Sequence, residues 1–226
     1  MARPDDQRNH PTGTLGAEGQ DPHDHAGWRR FVMRAGVVVV GSLVLGGLTF
    51  FAQGVLPEVL SSVANSASGW TLLAVLLIFW ARLSPAASAV LGAASFLLLV
   101  LGYTLVAKLQ GLFYSPIQFG LVGIVAGPFV GVATAWLRSR SQIRTAFGAA
   151  LLSGIGVGEG IYGLVELAAS TSPVYWVVII VVGLALLSGI AVRRLRSRGA
   201  IAVAVTGTAV VAAAFNLAYV VLGRII

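Results

Sequence analysis

Of 226 residues, 57% are hydrophobic and 10% charged, with a mean hydropathy of +0.90. A soluble domain carries about 25% charged residues, so no water-soluble globule could bury this much apolar surface. The net charge of +7 divides into −3 for the first 27 residues and +10 for the rest; the basic residues stand at the ends of apolar runs, where orientation in a membrane accounts for them and nucleic acid does not. The absence of cysteine excludes disulfides, thiolate metal sites and cysteine nucleophiles.

Residues 1–27 are polar and rich in Asp, His, Pro and Gly. Their few apolar side chains cannot offset the entropy of ordering, so a disordered cytoplasmic tail is expected, followed by a transmembrane helical domain over 28–226. His10, His23, Asp24 and His25 offer too sparse a set for a metal, and neither a metal nor a cofactor is expected. The first apolar run, from about Phe31 to Ala52, exceeds the apolar core of a signal peptide and lacks a small-residue cleavage site, so it reads as the first span.

About 20 apolar residues cross ~30 Å of hydrocarbon. That ruler places spans near 33–53, 68–81, 86–107, 117–137, 145–168, 174–192 and 200–222. The expected fold is all-α, a polytopic transmembrane bundle of about seven spans. The second is short, and the stretch before it contains Pro57, Glu58, Asn65, Ser66, Ser68 and Gly69. This predicts a short helix or re-entrant segment, tolerated at membrane depth only where it lines a cavity or is buried in protein. The fourth span carries Gly123, Gly127 and Gly131 on one face, with the mid-span Pro128 directly after Gly127, which marks it as a central packing helix.

Arg29, Arg30, Arg34, Arg82, Arg138, Arg140, Arg144, Arg193, Arg194, Arg196 and Arg198 fall on one set of helix ends, and Lys108 and Arg224 on the other. Positive residues are retained on the cytoplasmic side, so this bias predicts a multi-pass protein of the cell membrane with its amino terminus in the cytoplasm and its carboxyl terminus extracellular.

Compared with itself, the chain matches Gln53-Gly54 to Glu159-Gly160, Ser66 to Ser172, Trp70 to Trp176, Tyr103 to Tyr219 and Lys108 to Arg224. Two readings stand: a 3+1+3 parallel repeat of the kind found among carriers, or chance similarity between Leu-, Val- and Ala-rich stretches.

Outside the tail the only acids are Glu58, Glu159 and Glu166. An ionisable group within a span is costly and usually faces protein or water. Glu159 lies past the midplane of the fifth span. Glu166 and Tyr162 follow at helical spacing on the same face, within a run of alternating glycines that lets a neighbour approach closely. The functional reading is that Glu159 holds a cation, amine or proton in a cavity; the structural one is that it hydrogen-bonds across a helix interface to Asn216, Tyr219 or Gln53. Gln53, Asn65, Ser66, Tyr103, Glu159, Tyr162, Glu166, Asn216 and Tyr219 all map to the outer half of the bilayer, which predicts a polar pocket that opens outward. The candidate ligand residues are Glu159, Tyr162, Glu166, Gln53, Asn65 and Asn216. Trp70, Trp80, Trp136, Tyr103, Tyr114, Tyr175 and Trp176 read as interfacial belt residues.

The stretches Gly46-Gly-Leu-Thr-Phe-Phe-Ala-Gln-Gly-Val-Leu-Pro57, Val63-Ala-Asn-Ser-Ala-Ser-Gly-Trp70 and Gly156-Val-Gly-Glu-Gly-Ile-Tyr-Gly163 resemble an uncharacterised actinobacterial family of multi-pass membrane proteins, a domain of unknown function. The resemblance covers roughly residues 40–220. It supplies no activity, and it implies that the 65–70 and 159–162 segments are the distinctive ones.

No catalytic, nucleotide-binding or dinucleotide motif occurs, and the spans hold no histidine, so an enzyme is not expected. The leading expectation is a small-solute transporter or membrane-embedded solute-binding subunit. Its partners are the lipid bilayer, a small cationic or polar solute and, for any ATP-driven version, membrane or ATPase subunits on other chains. The alternative is a non-transporting membrane scaffold or assembly subunit.

Overall fold

A computed structural model of the chain describes residues 22–57 and 62–225. The tail through residue 21, His10 and Glu58 lie outside the described residues. Among the described residues, seven α-helices with set bounds follow one another: α1 (Pro22–Val55), α2 (Ala67–Ala81), α3 (Pro85–Leu109), α4 (Ile117–Trp136), α5 (Gln142–Tyr162), α6 (Pro173–Arg194) and α7 (Arg198–Ile225), with a π-helical turn, Gly163–Leu167, closing α5. Helix α1 begins at Pro22, inside the segment expected to be tail.

Local chemistry sets these boundaries. Ser66, Ser84, Ser141 and Ser172 each precede a helix as its N-cap, and proline opens α3 and α6, where its missing N–H costs nothing. Gly111, at φ 76°, turns the chain out of α3. Arg82 ends α2 in the left-handed region at φ 52°, a conformation that usually falls to glycine.

Among the described residues, six helices are long and apolar enough to cross a membrane: Gly27–Val55, Pro85–Leu109, Ile117–Trp136, Gln142–Leu167, Pro173–Arg194 and Arg198–Val221. The protein is an integral membrane protein of the multi-pass class, with lipid bilayer around its apolar helices. Helix α2, at 15 residues, is the exception: it spans about 22 Å at 1.5 Å per residue, short of the ~30 Å hydrocarbon core.

Helix α1 packs chiefly on α3 and more lightly on α2, and α5 packs chiefly on α7 and then on α6. The first helix of each half therefore carries the other two, and α4 joins the halves by packing on both α3 and α5. Matched positions play matched parts. Ser66 and Ser172 are both N-caps. The indole N–H of Trp70 donates to the Ala64 carbonyl, and that of Trp176 to the Thr171 hydroxyl, each at 2.9 Å.

The glycine row of α4 does what its spacing predicted. A Cβ at Gly123 would meet Phe96 at 2.8 Å, one at Gly127 would meet Ala93 at 2.7 Å, and one at Gly131 would meet the Ser88 carbonyl at 1.8 Å, so backbone lies on backbone between α3 and α4. The central place, however, belongs to α5: 61% of its apolar window is buried, against 39% for α4. Small residues explain this, because Gly148, Gly154, Gly158 and Gly160 let α4, α6 and α7 close on α5 from three sides.

Candidate functional site

The break between α1 and α2 turns on Ser66 and Gly69. The Ser66 hydroxyl accepts from the Gly69 N–H at 2.9 Å, and its carbonyl accepts from the Trp70 N–H at 3.1 Å. A Cβ at Gly69 would sit 1.9 Å from the Val63 carbonyl, so only glycine lets the chain fold back so tightly. The Ala67 and Ser68 N–H groups remain, and the carboxylate of Glu159 takes both: Ala67 donates to Oε1 at 2.7 Å and Ser68 to Oε2 at 2.6 Å. All four backbone donors at the start of α2 are thus satisfied, two by an acid from the other half of the molecule.

A helix N-terminus carries about half a positive charge, and one carboxylate in bidentate contact balances it. This is how a buried acid, 4% exposed, persists inside a span. The opposite end of α2 has the complementary arrangement. The Arg34 guanidinium donates to the Ala81 carbonyl at 3.3 Å, and the Arg138 guanidinium donates to the Phe79 carbonyl while lying 5.1 Å over the Phe79 ring. A short helix is clamped by an anion at its positive end and by cations at its negative end.

Around the Glu159 contact stand Tyr175, whose hydroxyl is hydrogen-bonded to that of Ser66, and Tyr219, within electrostatic reach of the carboxylate. Asn216 donates to the carbonyls of Gly158 and Ala212, both at 2.9 Å. Gln53 donates to the Ala64 carbonyl at 3.1 Å and accepts from the Tyr103 hydroxyl at 3.0 Å, which braces the far side of the break. Tyr162 packs on Tyr219 at 5.1 Å between ring centres.

Two cavities flank α2. The larger, about 420 Å³, is lined by the start of α2 and by α3, α4, α5 and α7; the smaller, about 250 Å³, lies between α2, α5 and α6. Thr71 and Ile155 line both. The larger cavity has an aromatic wall of Trp70, Phe96, Tyr114, Phe119, Phe215 and Tyr219, with polar groups from Asn65, Ser66 and Thr71 and, among the described residues, no charged side chain. Tyr114 belongs to the loop before α4, where burial and the neighbouring Tyr103 push its phenol up to about 12. It therefore stays neutral across the physiological range.

The distinctive motifs quoted above are the ones that meet here, Val63–Trp70 against Gly156–Gly163. A model of DUF6518, described as a family of unknown function, matches residues 25–224. The chain belongs to the DUF6518 family. No curated protein and no solved structure matches it.

In this DUF6518 chain the six candidate ligand residues do not form one pocket. Only Asn65 lines the larger cavity, and none of the six lines the smaller one. Glu159 does hydrogen-bond across a helix interface, but to the backbone of α2 and to none of Asn216, Tyr219 or Gln53. Glu166 leaves the stripe altogether. The π turn over Gly163–Leu167 breaks the register that would have kept it under Glu159, and it is exposed. At the start of that turn the Trp176 indole lies 2.0 Å from where a Cβ of Gly163 would be, so only glycine fits there. The expected polar pocket is instead a largely apolar, aromatic cavity beside the polar contact. Trp70 and Tyr114, expected in an interfacial belt, line it.

Proposed function

We propose that the protein is a membrane-embedded binding or transport protein for a small, largely uncharged solute that occupies the 420 Å³ cavity between its halves. The observation that carries this reading is the cavity itself, which has the size and the mostly apolar lining with a few convergent polar groups typical of small-molecule sites. A cationic solute held by Glu159 has less support, because both carboxylate oxygens already accept from α2. Glu159 acts on the wall of the site.

The arginine-rich helix ends support an orientation with that end in the cytoplasm, which turns the Asn65–Tyr114 mouth toward the outer leaflet. Transport would consist of moving α2, the short and lightly packed helix whose two flanks are hollow.

The test is a thermal-shift screen of the purified chain in detergent against uncharged aromatic and amphiphilic compounds and, for comparison, amines. A bound compound raises the melting temperature in step with RT ln(1 + [L]/Kd). The expected result is stabilisation by an uncharged compound that is lost in Ala126→Phe, which fills the cavity wall on α4. If no compound stabilises the protein, the scaffold reading takes over; the fully engaged Glu159 carboxylate is the observation that favours it.

A further inference from the structure

Helices α4 and α7 both line the larger cavity but make no more than marginal contact with each other. Phe119 and Val122 on α4 and Ala218 on α7 line the cavity and are at the same time exposed on the outer surface of the bundle. In a span, that surface meets acyl chains. The cavity therefore has a side door, and the door opens into hydrocarbon.

The interior is graded along the membrane normal. Asn65, Ser66 and Tyr114 stand at the end where α2 and α4 begin, and Val100, Val130 and Ile155 line the deeper part. Along α4 the lining runs from Phe119 to Val130, about 16 Å at 1.5 Å per residue. Such a slot is longer than a compact ring requires and suits an extended chain. Among the described residues no Asp, Glu, Lys, Arg or His lines it, and a charged head buried without a partner would be costly.

We propose that the occupant is a single-chain, uncharged amphiphile taken from the bilayer, which enters between α4 and α7 with its hydroxyl- or amide-type head at Asn65–Ser66–Tyr114 and its tail along Phe96, Val100 and Val130. This deepens the solute-site reading and rests on it. Lateral entry follows from the same geometry: an apolar chain already dissolved in the leaflet reaches the slot without crossing water, and its head arrives at the depth where the polar groups lie.

The test uses the full chain in lipid nanodiscs and dodecanol carrying a diazirine, with diazirine-bearing lauric acid as the charged counterpart and indole as a water-delivered probe. On irradiation, the alcohol is expected to label Phe119, Val122 and Phe215, and excess unlabelled dodecanol to suppress that labelling. Labelling of Val181 and Leu184, exposed on α6 away from the cavity, reports ordinary surrounding lipid and is not competed. Ala126→Phe and, separately, Ala218→Phe at the lipid-facing edge are each expected to cut the competed labelling about tenfold, and a melting curve of each variant reports that it folds. Preferred labelling by the acid would overturn the uncharged-head assignment. Uncompeted labelling, equal at Phe119 and at Val181, would overturn the proposal as a whole. If indole stabilises the protein while the alcohol gives no competed labelling, the lipid inference falls and the cavity reading stands; if neither binds, both fall.

Discussion

Glu159 contributes stability because two N–H groups and a helix dipole meet one buried carboxylate. Glu159→Gln keeps the shape but turns an amide NH2 toward an N–H donor and removes the charge. It is expected to cost about 1.5–3 kcal/mol, the usual worth of hydrogen bonds to a charged group, read as a lower melting temperature in detergent. Glu166→Gln, at an exposed position, is expected to change stability by no more than ~0.5 kcal/mol. At this scale the sequence was half legible. An acid beyond the midplane of a span had to be satisfied by something, and the polar stretch before α2 was read as a break; that Ser66 caps α2 and leaves two donors over is seen only in the structure. Neither fact alone joins the two, because the contact links residues more than ninety positions apart and one of the partners is backbone, which carries no side-chain signature.

Among the elements, the close packing of α3 on α4 and the short clamped α2 make opposite demands. Gly131→Ala would push a Cβ to 1.8 Å from the Ser88 carbonyl and force the helices apart, an overpacking expected to cost about 1–3 kcal/mol. At Gly189 nothing lies within 4 Å of the added carbon, and Gly189→Ala is expected to gain up to ~1 kcal/mol of helix propensity. Comparing the two melting temperatures separates packing from propensity. Arg138→Met removes a cation from the negative end of α2 together with its donor to Phe79, with an expected loss of about 1–2 kcal/mol. The helices themselves were legible because hydropathy and length dominate in a bilayer; the spans placed from sequence at 86–107 and 117–137 fall on α3 and α4, Pro85–Leu109 and Ile117–Trp136. The π turn after Tyr162 was not legible. Local periodicity does not encode it, and the Trp176 ring that packs against Gly163 there is a tertiary contact.

For the molecule as a whole, two three-helix units share one weak element. Helix α2 belongs to the first half by connection, yet its N-terminus is held by an acid of the second half and its C-terminus by Arg34 and Arg138. The corresponding helix of the second half has one donor fewer to satisfy: α6 starts at Pro173, which has no N–H. The pairs Ser66 and Ser172, Trp70 and Trp176 were visible in the sequence, and each pair plays the same local part in the structure. The cavity was not, because its lining comes from scattered Phe, Val and Ala residues that look like any lipid-facing surface until the helices are assembled.

The Pro173 comparison supplies the most direct test of the clamp that joins the halves. Ala67→Pro gives α2 the start that α6 already has. Ser66, at φ −120° and ψ 151°, already has the extended conformation that suits a residue before proline, so the change removes one of the two N–H groups that Glu159 accepts from, leaves that of Ser68, and alters little else. Melting temperatures would be measured for the wild type, Ala67→Pro, Glu159→Gln and the double variant. If Glu159 holds α2 through its first N–H groups, the losses are strongly non-additive, with the double variant melting close to Glu159→Gln alone and a coupling of about 1–3 kcal/mol. Additive losses would contradict the clamp.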